Sequence, residues 1–227
     1  MHLKRYFAPK TWKIQRKELT FISRPSPGPH NTAMALPLGV ILRDMLNFGT
    51  SSREIRFIVQ NKNISVDGIR RKDKNFPVGL FDVLSVNDTD QNFRVILDKK
   101  GRLDLIGIEK HEKGLKPCRV IGKKAVKGKI QLNLYDGKNI SAEKDGFKVG
   151  DTVLIDFGKK NAIKEHIKLE KNSVIYLTGG KSIGQIGKVQ DIKGNRIIYK
   201  NDNGTFETLK EYAFAIGKDK PMIKLEK

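Results

Sequence analysis

The sequence predicts an α+β, mostly β protein in four consecutive segments. These are a basic extended arm over 1–36, a compact helical module over 37–92, a small central β-barrel-like domain over 93–171, and a β-barrel with a C-terminal tail over 172–227. Three observations predict this order. Apolar residues recur at helical spacing only in the stretch that follows residue 37. From residue 93 onward short Val, Ile and Leu runs are divided by Gly, Asp and Lys. Before both, proline at alternate positions (Pro25, Pro27, Pro29) forbids a helix and favours an extended path.

The arm holds seven Lys or Arg in its first 30 residues against one acid, Glu18. Tyr6, Phe7 and Trp12 stand among Lys4, Arg5, Lys10, Lys13 and Arg16, and Arg24 opens the proline run. Aromatics interleaved with cations suit base stacking combined with phosphate contacts. The plainer reading is a poorly ordered tail; the pattern favours a segment that orders on RNA.

In the module, Leu38, Ile41, Leu42, Met45 and Leu46 form one helical stripe, with Gly49 as a stop. Ser51-Ser52-Arg53-Glu54 fits a capping box that starts a second helix. There Ile55, Ile58 and Val59 face one way, and at about 100° per residue Arg53, Arg56 and Gln60 share the opposite side. Ile64-Ser65-Val66 meets a tight turn at Asp67-Gly68 and returns through Ile69, Arg70, Arg71 and Lys72. Phe76-Pro77-Val78-Gly79 and Val83-Leu84-Ser85-Val86 close the module, which presents one cationic face.

Central strands are expected at Arg94–Leu97, Arg119–Ile121, Ile130–Leu134 and Thr152–Ile155. From Lys113 to Tyr135 there are seven basic residues and no acid, including Lys123, Lys124, Lys127 and Lys129. This is either a solvated turn or a phosphate-gripping finger, and the charge of the whole chain favours the finger. The last segment reads as strands at Val174–Leu177, Gly184–Val189, Arg196–Tyr199 and Thr205–Leu209. Its glycines let the chain turn tightly and a partner approach closely.

Bulk composition narrows the function classes. Forty-five Lys and Arg against 25 Asp and Glu give a net charge of +20. Such a surplus points to a polyanion, nucleic acid ahead of an anionic membrane, and away from a merely soluble basic protein. No stretch approaches the ~20 apolar residues of a membrane span, and the start, His2-Leu3-Lys4-Arg5, lacks the apolar run of a signal peptide. Cys118 is the single cysteine, which excludes an internal disulfide. Four scattered histidines add no metal spacing, so neither metal nor cofactor is expected and a reducing, cytoplasmic location is the default.

Longer strings of residues carry a resemblance. His2-Leu3-Lys4-Arg5 with Pro9 and Trp12, Lys17-Glu18, and Pro25-Ser26-Pro27-Gly28-Pro29-His30 look like the N-terminal signature of small-subunit ribosomal protein four, e-type, of archaea and eukaryotes. Tyr6 departs from it, standing where that family has an aliphatic residue. Pro37, Leu42-Arg43-Asp44, Val66-Asp67-Gly68, Arg70, Lys72-Asp73 and Phe76-Pro77-Val78-Gly79 are similar to its S4-like RNA-binding module. Gly184-Gln185-Ile186-Gly187-Lys188-Val189 resembles the centre of a KOW (SH3-like) β-barrel. The resemblance implies a structural, non-catalytic constituent of the small ribosomal subunit, bound to its ribosomal RNA. The KOW-like end, diluted by Asp191, Asp202, Glu207 and Glu211, would face a neighbouring ribosomal protein, with Lys181 and Lys188 as its RNA-binding candidates.

Two rival classes stand beside this: a free-standing RNA-binding factor and an RNA-modifying enzyme. Gly101-Arg102-Leu103-Asp104 imitates the aspartate string of pseudouridine synthases, but Leu105-Ile106-Gly107 lacks the hydroxyl residue expected next. Gly180-Lys181-Ser182 imitates the end of a P-loop, yet Ile175 stands where its first glycine is needed. Gly184-Gln185-Ile186-Gly187 imitates a KH clamp but lies between strands. The expected mechanism is therefore multi-point: Arg53, Arg56, Arg70, Arg71 and Lys72 on phosphates, Trp12 and Tyr6 as stacking rings, and the Lys-rich finger as a further grip.

Overall fold

The fold is that of a computed structural model that describes residues 2–126, 128–142, 146–159, 162–201 and 203–225. The chain forms two compact units, one of residues 1–96 and 102–113 and one of residues 97–101 and 114–226. Strands dominate, and no described helix is long and apolar enough to cross a membrane.

The first unit opens with β1 (Leu3–Lys4) and β2 (Phe21–Ile22), paired antiparallel with Leu3 opposite Ile22. The intervening chain is not an extended arm. It folds back on itself because Ala8, Trp12 and Ile22 bury their apolar surface, and Trp12 forms a parallel bridge to Leu103. The proline run is held in place as well, since the Ser26 amide donates to the Asn75 carbonyl at 2.8 Å and the His30 ring meets the Asp82 carboxylate at 2.9 Å.

Next comes β3 (Ala35–Pro37), which leads into α1 (Leu38–Val40) and a π turn over Ile41–Met45. Leu38, Ile41 and Leu42 are buried, as their spacing predicts. The stripe ends earlier than Gly49, at Asn47, which takes the left-handed conformation with φ 55°. The capping box is present in full: the Ser51 hydroxyl accepts from the Glu54 amide, and the Glu54 carboxylate accepts from the Ser51 amide. The helix it starts, α2 (Ser52–Asn61), buries Ile55 and Val59.

β4 (Ile64–Val66) and β5 (Ile69–Arg70) form the expected hairpin, with positive φ at both Asp67 and Gly68. β6 (Pro77–Gly79) pairs with β3, and β7 (Val83–Val86) lies between β4 and β8 (Gln91–Leu97). β9 (Leu103–Gly107) completes the five-stranded order β5-β4-β7-β8-β9. The strand read at Arg94–Leu97 thus extends the module's sheet instead of opening the central domain. Its Arg94, fully buried, is matched by Glu112 at 2.5 Å.

In the second unit β10 (Leu115–Val126) is the pivot. Leu115–Arg119 pair with β13 (Thr152–Asp156), while Val120–Val126 pair with β11 (Lys129–Leu134) across a register shift between Val120 and Gly122. With β12 (Asn139–Ala142) and β14 (Ala162–Ile167) the order is β12-β11-β10-β13-β14. Both halves of β10 serve one core of Cys118, Val120, Leu132, Leu134, Ala142, Val153 and Ile155.

A second core gathers Ile167, Leu169, Ile175, Leu177, Val189, Ile197, Tyr199, Ala213 and Ala215. It is enclosed by β15 (Val174–Leu177), β16 (Ile186–Lys193), β17 (Arg196–Asn201), β18 (Gly204–Leu209) and β19 (Ala213–Gly217), in the order β18-β17-β16-β15-β19. Two of the glycines expected to admit a partner admit the protein's own rings instead. A Cβ on Gly179 would lie 2.5 Å from the Tyr212 ring, and one on Gly187 would lie 2.6 Å from that of Tyr199.

Candidate nucleic-acid interface

The exposed side of α2 is the best-formed cationic surface in the first unit. Helical spacing sets Arg53, Arg56 and Gln60 outward, and all three are exposed while Ile55 and Val59 face the core. Arg70 joins this side by donating from Nη2 to the Gln60 carbonyl at 3.2 Å, and Lys72 is exposed nearby in sequence. Arg71 is different: it is half-buried, with its guanidinium 4.1 Å from the centre of the Phe76 ring. It packs the hairpin and offers phosphate only its remaining edge.

Of the acids near this surface only Asp67 is buried; Glu54 and Asp73 are exposed but held by local backbone amides. The amides of Thr50 and Ser51 hold the Glu54 carboxyl below the usual carboxylate range. Asp67 is buried and accepts from the Val83 amide at 3.1 Å, and Asp73 accepts from the Asn75 amide at 2.9 Å. Arg53, Arg56, Arg70 and Lys72 outnumber the exposed acids Glu54 and Asp73, so an approaching polyanion meets a net positive field. Phe57 was not anticipated. It is 68% exposed among these arginines, and its signal is an apolar residue on the polar arc shared by positions 53, 56 and 60.

The N-terminal candidates divide sharply. Lys4, Tyr6, Lys10 and Arg24 are exposed as expected. Trp12 is 2% exposed with its indole N–H directed at the Thr32 carbonyl, so it is a core side chain and not a stacking ring. Arg5 is buried as well: its guanidinium meets Glu18 at 3.1 Å, Asp44 at 3.6 Å and the Gln15 carbonyl. Arg16 is half-buried and donates to the carbonyls of Tyr6, Ala8 and Pro9. Lys13 is ion-paired with Asp104 at 2.8 Å. Guanidinium groups bind backbone and carboxylate oxygens in a fixed fork, which is why these arginines became scaffolding. Phe7 is 71% exposed beside Tyr6.

The Lys-rich finger is not a loop but the hairpin β10–β11. Lys123, Lys124 and Lys129 are exposed near its tip, and Lys127 lies outside the described residues. Basic residues at its root are internal. Lys116 is buried against Asp136 at 3.1 Å, and Lys138 reaches the same carboxylate at 3.2 Å. Burial would raise the Asp136 carboxyl, but the two ammonium groups overcome this and hold it below the usual range. Arg119 donates to the Glu211 carbonyl with the rings of Tyr135 and Phe214 about it at 5.9 and 6.0 Å, and burial lowers its pKa. In the last β segment Lys181 is exposed, while Lys188 is exposed but 3.3 Å from Asp219.

Asp104, the residue that invites an enzymatic reading, is 8% exposed. Besides Lys13 it accepts from the Leu105 amide at 2.9 Å, a structural assignment for both oxygens.

Well-cored β units with acid-poor cationic helix and hairpin surfaces define a protein of the nucleic-acid-binding class. Comparison with known proteins gives the particular family. A family model described as Ribosomal family S4e matches residues 89–162, and one described as the RS4NT (NUC023) domain matches residues 1–33. Small ribosomal subunit protein eS4 of Methanosphaera stadtmanae is 41% identical, over 99% of this chain and 95% of its own. The protein of the same name from Methanococcus vannielii is 40% identical, over 99% and 97%. The crystal structure of the 30S ribosomal protein S4e from Thermoplasma acidophilum covers 82% of this chain and 95% of its own, with 29% identity and a TM-score of 0.69. The chain belongs to the S4e family of small-subunit ribosomal proteins.

Proposed function

We propose that this chain is a structural constituent of the cytoplasmic small ribosomal subunit that binds ribosomal RNA through several separate basic surfaces. The observation that carries the reading is the α2 face, where Arg53, Arg56 and Arg70, with Lys72 near them in sequence, are displayed and outnumber the exposed acids Glu54 and Asp73. Lys4, Lys10 and Arg24 in the N-terminal segment, Lys72, and Lys123, Lys124 and Lys129 on the β10–β11 hairpin are further phosphate contacts. Tyr6 is a stacking ring. Residues 37–92, with β8 and β9 completing the sheet, serve as the S4-like RNA-binding module, 114–171 as the central β domain, and 172–227 as a KOW-like domain that meets a neighbouring ribosomal protein and contributes Lys181 and Lys188 at its edge. The enzymatic alternative has less support, because Asp104 is committed to Lys13 and a backbone amide.

Phosphate contacts supply affinity, and the shape of folded RNA supplies selectivity. If roughly ten phosphates are neutralised, affinity falls by several decades over a fourfold rise in salt. Arg53→Ala with Arg56→Ala is expected to weaken binding to small-subunit ribosomal RNA and flatten its salt dependence, leaving the melting temperature unchanged. Unchanged RNA affinity in that double variant would refute the assignment of this face.

A further inference from the structure

Tyr6 and Phe7 lie on a three-residue 3-10 turn, Arg5–Phe7, and each ring is 71% exposed. They touch edge to face, with centroids 5.8 Å apart and planes at 82°. Two adjacent aromatic side chains left in water forgo the burial their apolar surface would gain, so their display calls for a partner. What lies beneath them is unusually well fixed. Arg5 is 1% exposed and tied to Glu18, Asp44 and the Gln15 carbonyl. Arg16 donates to the carbonyls of Tyr6, Ala8 and Pro9 at 3.1, 2.7 and 2.8 Å. The turn cannot relax to bury its rings without breaking these bonds, and three carbonyl oxygens that would repel a phosphate are covered by a cation.

We infer that Tyr6 and Phe7 form a preset stacking post for an unpaired nucleotide of the RNA, an inference that rests on the RNA-binding reading above. Charge decides between an unpaired base and an apolar protein surface as the occupant. Lys4 and Lys10 flank the rings and are exposed, and the single acid of the first 30 residues, Glu18, is paired to Arg5. An apolar protein surface would strip water from both lysines and return no counter-charge. An unpaired nucleotide brings a flat π-face and a phosphate together, which matches exposed rings with exposed lysines two residues before and three residues after them in sequence. The edge-to-face pair offers one ring face and one ring edge, a geometry that a single base can seat against while its phosphate reaches Lys4 or Lys10.

The test compares full-length variants for affinity to purified small-subunit ribosomal RNA at two salt concentrations. Tyr6→Ala with Phe7→Ala is expected to weaken binding about tenfold or more. Tyr6→Leu with Phe7→Leu, which keeps apolar bulk and removes the π-faces, is expected to be equally weak. Both pairs should keep the salt slope of the parent, because no phosphate contact is lost, whereas Arg53→Ala with Arg56→Ala reduces it. Emission of the single tryptophan, buried Trp12, stays unshifted where the fold is intact. Parent-like affinity in the leucine pair means the rings act on RNA only as apolar bulk; parent-like affinity in the alanine pair means they contribute nothing to RNA binding and leaves a protein neighbour as their occupant. Either result overturns the stacking post and leaves the RNA-binding reading standing. Loss of salt-dependent RNA binding by the parent itself would remove both.

Discussion

The N-terminal segment and the tip of the β10–β11 hairpin carry the same kind of sequence, basic and poor in acids, and the fold uses them in opposite ways. In the N-terminal segment Arg5 and Arg16 turn inward onto Glu18, Asp44 and backbone carbonyls, Lys13 stays exposed while pairing with Asp104, and Trp12 is a core residue. At the hairpin tip Lys124 and Lys129 remain in water, and Lys123 is exposed. The difference is chemical as much as positional. A guanidinium is weakly hydrated and can serve several oxygens in one plane, so it staples irregular chain; an ammonium holds its water and stays out. Lys116 marks the limit of that rule, since it is buried, but only against a carboxylate that is buried with it. A basic segment is thus a ligand surface only where its cations are not needed to hold the segment together.

The largest test of this contrast is Trp12→Ala. Loss of a buried indole is expected to destabilise the first unit by about 3–5 kcal/mol, which calorimetry or denaturant unfolding would register. An effect below about 1 kcal/mol would mean that the N-terminal segment is not packed as described. Next in size is Asp136→Asn at the hairpin root, which leaves Lys116 buried without its carboxylate and is expected to cost about 3 kcal/mol at neutral pH. The Asp136 carboxyl is depressed in the folded protein, so its contribution is fully present above its unfolded pKa near 3.8. It is lost as pH falls through the lower folded value. Acid unfolding of the parent should therefore steepen below about pH 4, and the variant should lack that component.

Local signals were legible in the sequence and tertiary ones were not. The Ser51–Glu54 capping box and the Asp67-Gly68 turn were readable because every group involved lies within a few residues. The outward side of α2 followed from periodicity alone. By contrast, Arg5 finds Asp44, and Lys13 finds Asp104, 91 residues away; no local pattern announces either pair. The tip of β10 read as a loop because Lys and Gly have weak strand propensity, and its strand character comes from pairing with β11. Short strands such as β9 and β19 gave no alternation long enough to read, and β19 is buried throughout. The exposure of Arg53, Arg56, Arg70 and Lys72 was therefore readable from sequence, that of Arg71 was not, and the N-terminal residues needed the fold to separate scaffold from surface.

The smallest effect on stability, and the sharpest on function, should come from Lys124→Ala with Lys129→Ala. Lys124 lies opposite Gln131 and Val126 opposite Lys129. Alternation along the strands therefore puts Lys124, Lys129, Gln131 and Asn133 on one face, away from core residue Leu132. Asn139 and Ser141 of β12 continue that face opposite Asn133 and Gln131. It is acid-free among the described residues, with Val126 as an exposed apolar member, and no core contact depends on its two lysines. Their removal should change stability by less than about 0.5 kcal/mol. If each neutralises one phosphate, the slope of log affinity against log salt should fall in magnitude by about 1.4–1.8 for the pair. A stability loss would show that the tip is scaffold after all, like Arg5 and Arg16. An unchanged slope with unchanged affinity would remove Lys124 and Lys129 from the RNA-binding surface.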